Sequence, residues 1–169
     1  MVIARDEAMA FDPITAPPAT AHRKVRRLYE YWLSRAPAMG MLPARHHIDP
    51  TEIGRLLENI WLVDVVGEPK QFRIRLLGGA LVRAGILAKI GDAVESILPN
   101  DAARQQALEE FRYVAAQRVP LWFRGPPRVP HERDIHDIER IFLPLAADGR
   151  DVNMLLCLTV FYGVNGNEK

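Results

Sequence analysis

The sequence predicts an α+β fold in which an antiparallel sheet is covered on both faces. Two apolar segments near the C-terminus are separated by Asp148 and Gly149, a pair that favours the positive φ values of a short hairpin turn. The second segment, Met154 to Phe161, is apolar at almost every position, which is typical of a strand buried on both sides. Such a central strand needs a covering layer on each face of its sheet, so we expect helices on both.

Length and charge limit the possible organisation and partners. A chain of 169 residues suits one domain with an appendage. The net charge of +1 argues against a dominant nucleic-acid or membrane surface, and the one local excess of positive charge is His22 to Arg27. We find neither a signal peptide nor an apolar run approaching the ~20 residues of a membrane span. The single cysteine, Cys157, lies in an apolar segment, so we expect a buried thiol and a cytoplasmic protein.

The N-terminal part is predicted to be a flexible arm, residues 1–20, followed by an amphipathic helix and linker, residues 21–40. Thr20 is the expected helix cap, and Pro37 ends the helical pattern. The apolar stripe of this helix comprises Val25, Leu28, Tyr29, Trp32 and Leu33. It can pack on the sheet of its own chain, or also against a second copy, and the sequence leaves both open.

Next comes a short helix and an interior strand. Asp49 ahead of Pro50 predicts a capped helix that ends near Leu57. Ile60 to Val66 is apolar apart from Asp64, so we expect a second strand buried on both faces.

The following strand alternates. In QFRIRLLG, the residues Phe72, Ile74 and Leu76 fall on one side, which predicts a half-exposed strand at the edge of the sheet. Gly78 and Gly79 break this strand.

Short helical segments, a longer helix and three strands complete the chain. The longer helix is predicted from about Asp101 to Gln117, and VPLWFRGPP supplies the next strand. A polar loop from Arg128 to Asp137 then leads into the C-terminal hairpin.

No pattern of catalytic or metal-ligating residues emerges. His46 and His47 are adjacent, and His131 and His136 sit in a polar loop without the fixed spacing that a metal site requires. There is no nucleophile elbow, phosphate-binding glycine loop or cysteine in a polar context. We therefore predict no catalytic residues and no metal site.

Two arginines are candidates for binding an anion or for bracing the sheet. Arg75 and Arg140 occupy predicted strands, and converging arginines bind a carboxylate or phosphate through a bidentate fork. Ion pairs with Asp64 and Glu139 account for the same arginines without a ligand, and we favour that interpretation.

The element order and several motifs resemble a bacterial single-domain PAS family known mainly from alphaproteobacterial genomes. The resemblance covers about residues 28–157 and includes a tryptophan helix, an IDP segment, an FR.RL.G strand and an R...PL..dG hairpin. The matching residues are Trp32, Ile48, Asp49, Pro50, Phe72, Arg73, Arg75, Leu76, Gly78, Arg140, Pro144, Leu145, Asp148, Gly149 and Met154. The chain departs from the pattern at Gly79 and Ala80, where a threonine often follows the glycine. It also lacks a cysteine in the helical segment, so covalent flavin photochemistry is not suggested.

The resemblance implies a five-stranded antiparallel sheet in the order 2-1-5-4-3. A helical cluster would cover one face and the N-terminal helix the other, within a PAS-like domain of residues 41–163 followed by a tail, residues 164–169. Such domains sense a small molecule between sheet and helices, or join proteins through the outer face of the sheet. The expected cavity residues are Phe72, Ile74, Leu76, Leu81, Val82, Leu98, Leu121 and Phe123.

These observations predict a non-catalytic sensor or protein-interaction module in bacterial signal transduction. We expect a homodimer assembled through the Trp32 helix and the outer sheet face, with a small-molecule ligand or a signalling protein as further partner and with no cofactor identified. The alternative is a small α+β enzyme, a hydrolase or isomerase, that uses the cavity but lacks an evident acid and base pair. A nucleic-acid binder is disfavoured because His22 to Arg27 lies on a helix whose other face is needed for packing.

Overall fold

The computed structural model describes residues 11–169, and these form one five-stranded antiparallel sheet with helices on both faces. The elements are α1 (Arg23–Ser34), α2 (Pro50–Ile53), β1 (Ile60–Val66), β2 (Gln71–Leu77), α3 (Gly79–Arg83), α4 (Asp101–Gln117), β3 (Leu121–Gly125), β4 (Ile135–Leu145) and β5 (Met154–Gly163). Short 3-10 turns at Arg45–His47, Gly54–Asn59 and Val94–Ile97 connect them. The strand order is β2-β1-β5-β4-β3, which confirms the predicted fold class.

The two strands without alternation are neighbours at the middle of the sheet. β5 pairs with β1 on one side and with β4 on the other, and every residue of β5 after Met154 is buried. Cys157 is completely buried within it. The continuous apolar pattern is thus explained by cover on both faces.

The inner face, which we define by Trp61 and Phe142, packs against α4. The ring of Phe111 stacks on Phe142 at a centroid distance of 4.9 Å and on Phe72 at 5.3 Å. Trp61 contacts the Phe111 ring edge-on at 6.1 Å. This aromatic cluster fixes the long helix on the sheet.

The outer face, which carries Leu143 and Leu158, is covered by α1. The cap of the helix is His22 and not the expected Thr20, because the His22 Nδ1 atom accepts a hydrogen bond from the Lys24 amide at 3.1 Å. Three residues of the predicted stripe, at positions 25, 28 and 32, are buried on the sheet of the same chain. Leu33 is 50% exposed.

A second cover on the outer face comes from the segment between α1 and β1. Leu42, Ile48, Ile53 and Leu56 are buried there. The expected Asp49 cap is present, with its carboxylate accepting from the Thr51 amide at 2.8 Å. The apolar sheet area that we expected a second copy to cover is therefore covered by this segment and α1 together.

A bulge in β2 changes which residues point inward. Leu62 pairs with Leu76 while Val63 pairs with Ile74, so Arg75 is an extra residue between the two pairs. The bulge shifts the alternation by one position. Leu76 consequently lies on the outer face and is 40% exposed, which corrects its predicted place in the cavity.

The hairpin connection is longer than the tight turn predicted. Strands β4 and β5 are separated by residues 146–153, and Gly149 within this segment has a φ of 77°. The Asp148 carboxylate accepts hydrogen bonds from the amides of Arg150 and Asp151, both at 2.8 Å, and these bonds lower the pKa of Asp148. The Asp-Gly pair thus marks one bend of a larger loop.

Both ends of the described chain lie against the sheet. In the predicted arm, residues 1–10 fall outside the described residues, and the carbonyl of Ile14 accepts from the Trp122 amide of β3 at 2.8 Å. In the tail, Glu168 contacts His22 at 3.1 Å and pairs with Lys24. No helix within residues 11–169 is long and apolar enough to cross a membrane.

Candidate functional site

A cavity of about 70 Å³ lies between the inner face of the sheet and the helical layer. Its walls are mostly apolar, and they come from strands β1, β2, β4 and β5, from helices α3 and α4, and from the loops between them. The lining residues are Trp61, Ile74, Leu77, Leu81, Ile86, Val94, Ile97, Leu98, Ala107, Phe111, Arg128, Val129, Ile138, Arg140, Thr159 and Phe161.

Half of the predicted cavity residues are in or directly behind this wall. Ile74, Leu81 and Leu98 line the cavity. Phe72 is buried behind it and supports Phe111. Because of the bulge in β2, Leu77 takes the place that Leu76 was expected to fill.

The remaining predicted residues lie elsewhere. Leu121 and Phe123 border a second hollow of about 130 Å³, which shares Arg128 with the cavity. Val82 is 54% exposed, because the single turn of α3 that directs Leu81 inward directs its neighbour to solvent. Its predicted position in the cavity is wrong.

The polar part of the cavity wall is built on a buried carboxylate. One oxygen of Glu110 accepts from the Arg128 guanidinium at 2.8 Å, and its other oxygen accepts from the Arg140 guanidinium at 2.5 Å. Burial lowers the pKa of Arg140 to about 10, against the attraction of Glu110, so this guanidinium is still protonated at pH 7. Two cations around one anion leave the cluster with a net positive charge.

The aromatic ring of Phe123 holds both guanidinium groups. The Arg128 guanidinium carbon lies 4.9 Å from the ring centroid and that of Arg140 lies 4.7 Å from it. Arg140 also lies 4.9 Å from the centroid of Phe142. Such cation–π contacts orient the two arginines without using their N–H groups.

Several hydrogen-bond donors of this wall have no acceptor among the described residues. Arg128 Nη1 and Arg140 Nε are buried and unpaired. The Thr159 hydroxyl oxygen accepts from Trp61 Nε1 at 3.1 Å, which leaves its own hydrogen available. A buried donor without a partner costs about 1–3 kcal/mol, so an acceptor in the cavity would be favourable.

The two arginines singled out from the sequence do not converge. Arg75 lies on the outer side of the bulge, is 62% exposed and is 3.8 Å from Asp64. Arg140 faces the cavity, and its partner is Glu110 instead of the expected Glu139, because consecutive strand residues face opposite sides.

Sequence reasoning missed Glu110 and Arg128. A signal for the first was present, since Glu110 lies three residues after Ala107 and thus within the apolar stripe of α4. A carboxylate in such a stripe requires a buried partner. Arg128 lay in a loop with several other charged residues and carried no distinguishing pattern.

On the opposite face of β4, Glu139 forms a hydrogen bond with the backbone at the start of α1. Glu139 is fully buried, and one of its oxygens accepts from the His22 amide at 2.8 Å and from Trp122 Nε1 at 2.9 Å. Its other oxygen accepts from the Tyr162 hydroxyl at 2.8 Å. Burial and this bond raise the pKa of Tyr162.

The far end of α1 is fixed to the same strand. Trp32 Nε1 donates to the carbonyl of Pro144 at 2.9 Å. Strand β4 therefore contacts the cavity on one face and both ends of α1 on the other.

No group of three or more His, Cys, Asp or Glu side chains within residues 11–169 is arranged to hold a metal ion. Polar chemistry in the cavity accordingly rests on its arginines and its threonine.

Comparison with known proteins identifies the family. The model of the family described as "PAS domain" matches residues 20–159. Neither a curated protein nor a solved structure gives a match to the chain. Together with the strand order and the cavity between sheet and helices, the match over most of its length shows that this chain belongs to the PAS domain family.

Proposed function

We propose that the protein is a non-catalytic sensor or interaction module in bacterial signal transduction, acting in the cytoplasm. The observation that carries the proposal is the position of β4 between the cavity and α1. Arg140 lines the cavity, the adjacent Glu139 binds the amide at the start of α1, and Trp32 at its other end binds the same strand.

This arrangement supports a route for a signal. A molecule that enters the cavity and binds Arg140 displaces the packed side chains around β4, and a close-packed interior transmits this strain to the strand. The same backbone carries Glu139 and Pro144, which hold α1 at both ends. The output is a change in how α1 docks, and its exposed side, with Arg23, Arg26 and Leu33, is available to a signalling protein.

The chemistry of the cavity favours sensing over catalysis. Its polar side chains are Arg128, Arg140 and Thr159, and both oxygens of the nearby Glu110 are occupied by the arginines. A hydrolase or isomerase needs a positioned base, and the described lining residues supply none that is free.

The homodimer stays a prediction. Because α1 already covers its own sheet, an assembly through α1 would use its outward residues, such as Leu33, instead of the buried stripe. Native mass spectrometry of freshly purified protein measures the oligomeric state and any retained small molecule in one experiment. A purely monomeric spectrum contradicts the dimer.

The proposed coupling is tested by filling the cavity from α4. Ala107 lines the cavity, whereas Ala116 is exposed on the same helix, so Ala107→Leu and Ala116→Leu form a matched pair. We expect Ala107→Leu to abolish retention of a bound molecule and to change the amide hydrogen exchange of α1. Ala116→Leu should leave both unchanged. Identical α1 exchange in the wild type and in both folded variants would refute signalling from the cavity to α1.

A further inference from the structure

We propose that the cavity binds a small monocarboxylate with an apolar body, held through its carboxylate by Arg128 and Arg140. This inference rests on the proposed sensing function and names the class of ligand. It is carried by the charge, the unpaired donors and the size of the site.

The charge of the site matches a single anion. Glu110 compensates one of the two arginines, so one positive charge remains in an otherwise apolar wall. The side chains of Arg128 and Arg140 are only 18% and 13% exposed, which limits compensation of that charge by solvent. A monoanion neutralises the cluster, whereas a dianion would leave an uncompensated negative charge in a site of low polarity.

The unpaired donors match the acceptors of a carboxylate. Arg128 Nη1 and Arg140 Nε are buried without a partner among residues 11–169, and the Thr159 hydroxyl still has a hydrogen to donate. Both guanidinium groups are pre-oriented by Glu110 and by the ring of Phe123. Guanidinium groups bind the planar carboxylate in a fork geometry, and pre-orientation reduces the entropy lost on binding.

The size and the apolar walls of the cavity determine how large and how polar the rest of the ligand can be. A cavity of about 70 Å³ has room for on the order of five water molecules, about half the volume of a cavity that binds benzene, which corresponds to a short aliphatic body. Leu81, Leu98 and Phe161 face that space and offer no polar partner. A ligand with many hydroxyl or phosphate groups would therefore lose hydrogen bonds to water without replacement.

Glu110 gives the inference a test, because its negative charge compensates part of the positive charge that would attract a bound anion. Glu110→Gln removes the negative charge and frees the two arginines for an external carboxylate. If the cluster binds a carboxylate, this substitution tightens binding. If the arginines serve only to neutralise Glu110, the wild type binds no carboxylate and only the Glu110→Gln variant does, so the binding has to be seen first in the wild type.

The experiment is titration calorimetry of the full chain with butyrate, hexanoate, butyramide and inorganic phosphate. We expect butyrate or hexanoate to bind at least about tenfold more tightly than the uncharged butyramide, because hydrogen bonds to a charged group are stronger than those to a neutral one. Arg128→Met should weaken that binding about tenfold or more, and Glu110→Gln should strengthen it. Arg75→Met is the matched control, because this exposed arginine lies on the other face, and we expect no change.

Removing Arg140 alone leaves Glu110 with one partner, so the double variant Glu110→Gln with Arg140→Met is used to remove that buried ion pair as a unit. In a folded double variant Arg128 alone carries the positive charge, so we expect carboxylates to bind more weakly than in Glu110→Gln, and equal binding in these two variants contradicts a role for Arg140. Equal binding of butyrate and butyramide by the wild type overturns the carboxylate inference, as does tighter binding of phosphate than of either carboxylate. These outcomes are independent of the α1 exchange in Ala107→Leu, which tests the sensing function itself.

Discussion

Two adjacent glycines at the end of β2 give a sharp test of how tightly the sheet and α3 are joined. Gly78 donates its amide hydrogen to the carbonyl of Ile60 at 2.7 Å. A β-carbon at position 78 would lie 2.3 Å from the carbonyl oxygen of Glu58 and 2.6 Å from that of Ile60. Both obstacles are backbone atoms, so Gly78→Ala requires the end of the 3-10 turn or the start of α3 to move.

The neighbouring glycine is the matched control. A β-carbon at position 79 would meet only the end of the flexible Arg83 side chain, at 3.1 Å. Gly79 is the first residue of α3, where alanine favours the helix by up to about 1 kcal/mol. Overpacking against backbone costs about 1–3 kcal/mol. We therefore expect Gly78→Ala to lower the free energy of unfolding by about 2–3 kcal/mol and Gly79→Ala to leave it unchanged or raise it slightly.

Urea unfolding followed by tryptophan fluorescence measures this difference. In thermal unfolding, a loss of 2–3 kcal/mol corresponds to about 4–12 °C for a chain of this size. A Gly78→Ala protein within about 0.5 kcal/mol of the wild type would show that this junction relaxes freely, which would refute the reasoning from the backbone contacts. Equal losses for both alanine variants would refute it too.

Two further predictions concern buried groups of the central strands. Glu139→Gln removes the charge from the hydrogen bonds at the start of α1, and we expect it to lower the free energy of unfolding in urea by about 2–3 kcal/mol. The reason is that charged acceptors contribute about 1 kcal/mol more per bond than neutral ones. A decrease below about 0.5 kcal/mol contradicts this prediction. Burial raises the pKa of the Cys157 thiol well above its usual range, so only the unfolded chain releases this proton near pH ~8.5. The raised pKa of Cys157 therefore leaves the free energy of unfolding unaffected below that pH and lowers it at higher pH, by up to about 1.4 kcal/mol per pH unit. Cys157→Ala should reduce the slope of unfolding free energy against pH between about pH 8.5 and 10, and equal slopes would contradict the assignment.

The features predicted correctly were those that depend only on residues close together in the sequence. β1 and α4 have the predicted bounds, since a run of apolar residues or a stripe of period 3.6 specifies an element without reference to distant parts of the chain. The Asp49 cap followed from local hydrogen-bonding chemistry in the same way.

The features that were missed depend on residues far apart in the chain. The partners Arg128 and Arg140 lie 18 and 30 residues from Glu110, so no spacing rule links them. The bulge at Arg75 is a shift in the register between β1 and β2. The segment QFRIRLL by itself shows polar and apolar residues that alternate without interruption as far as Leu76. The face of the sheet on which the arginines and Leu76 lie could therefore be assigned only once the strand pairing was known.

The loops along the two outermost strands restrict the addition of a further strand to the sheet by another protein. Along β2, Ile74 accepts from Gly91 at 2.7 Å and donates to Asp92 at 2.8 Å, and along β3 the Trp122 amide is bonded to Ile14. Backbone groups at both margins are thus already engaged, and an incoming peptide cannot extend the sheet at these positions as an extra strand without displacing a loop. A partner protein of the kind proposed above would consequently contact side-chain surfaces such as that of α1, where shape and charge set specificity instead of backbone hydrogen bonds between strands.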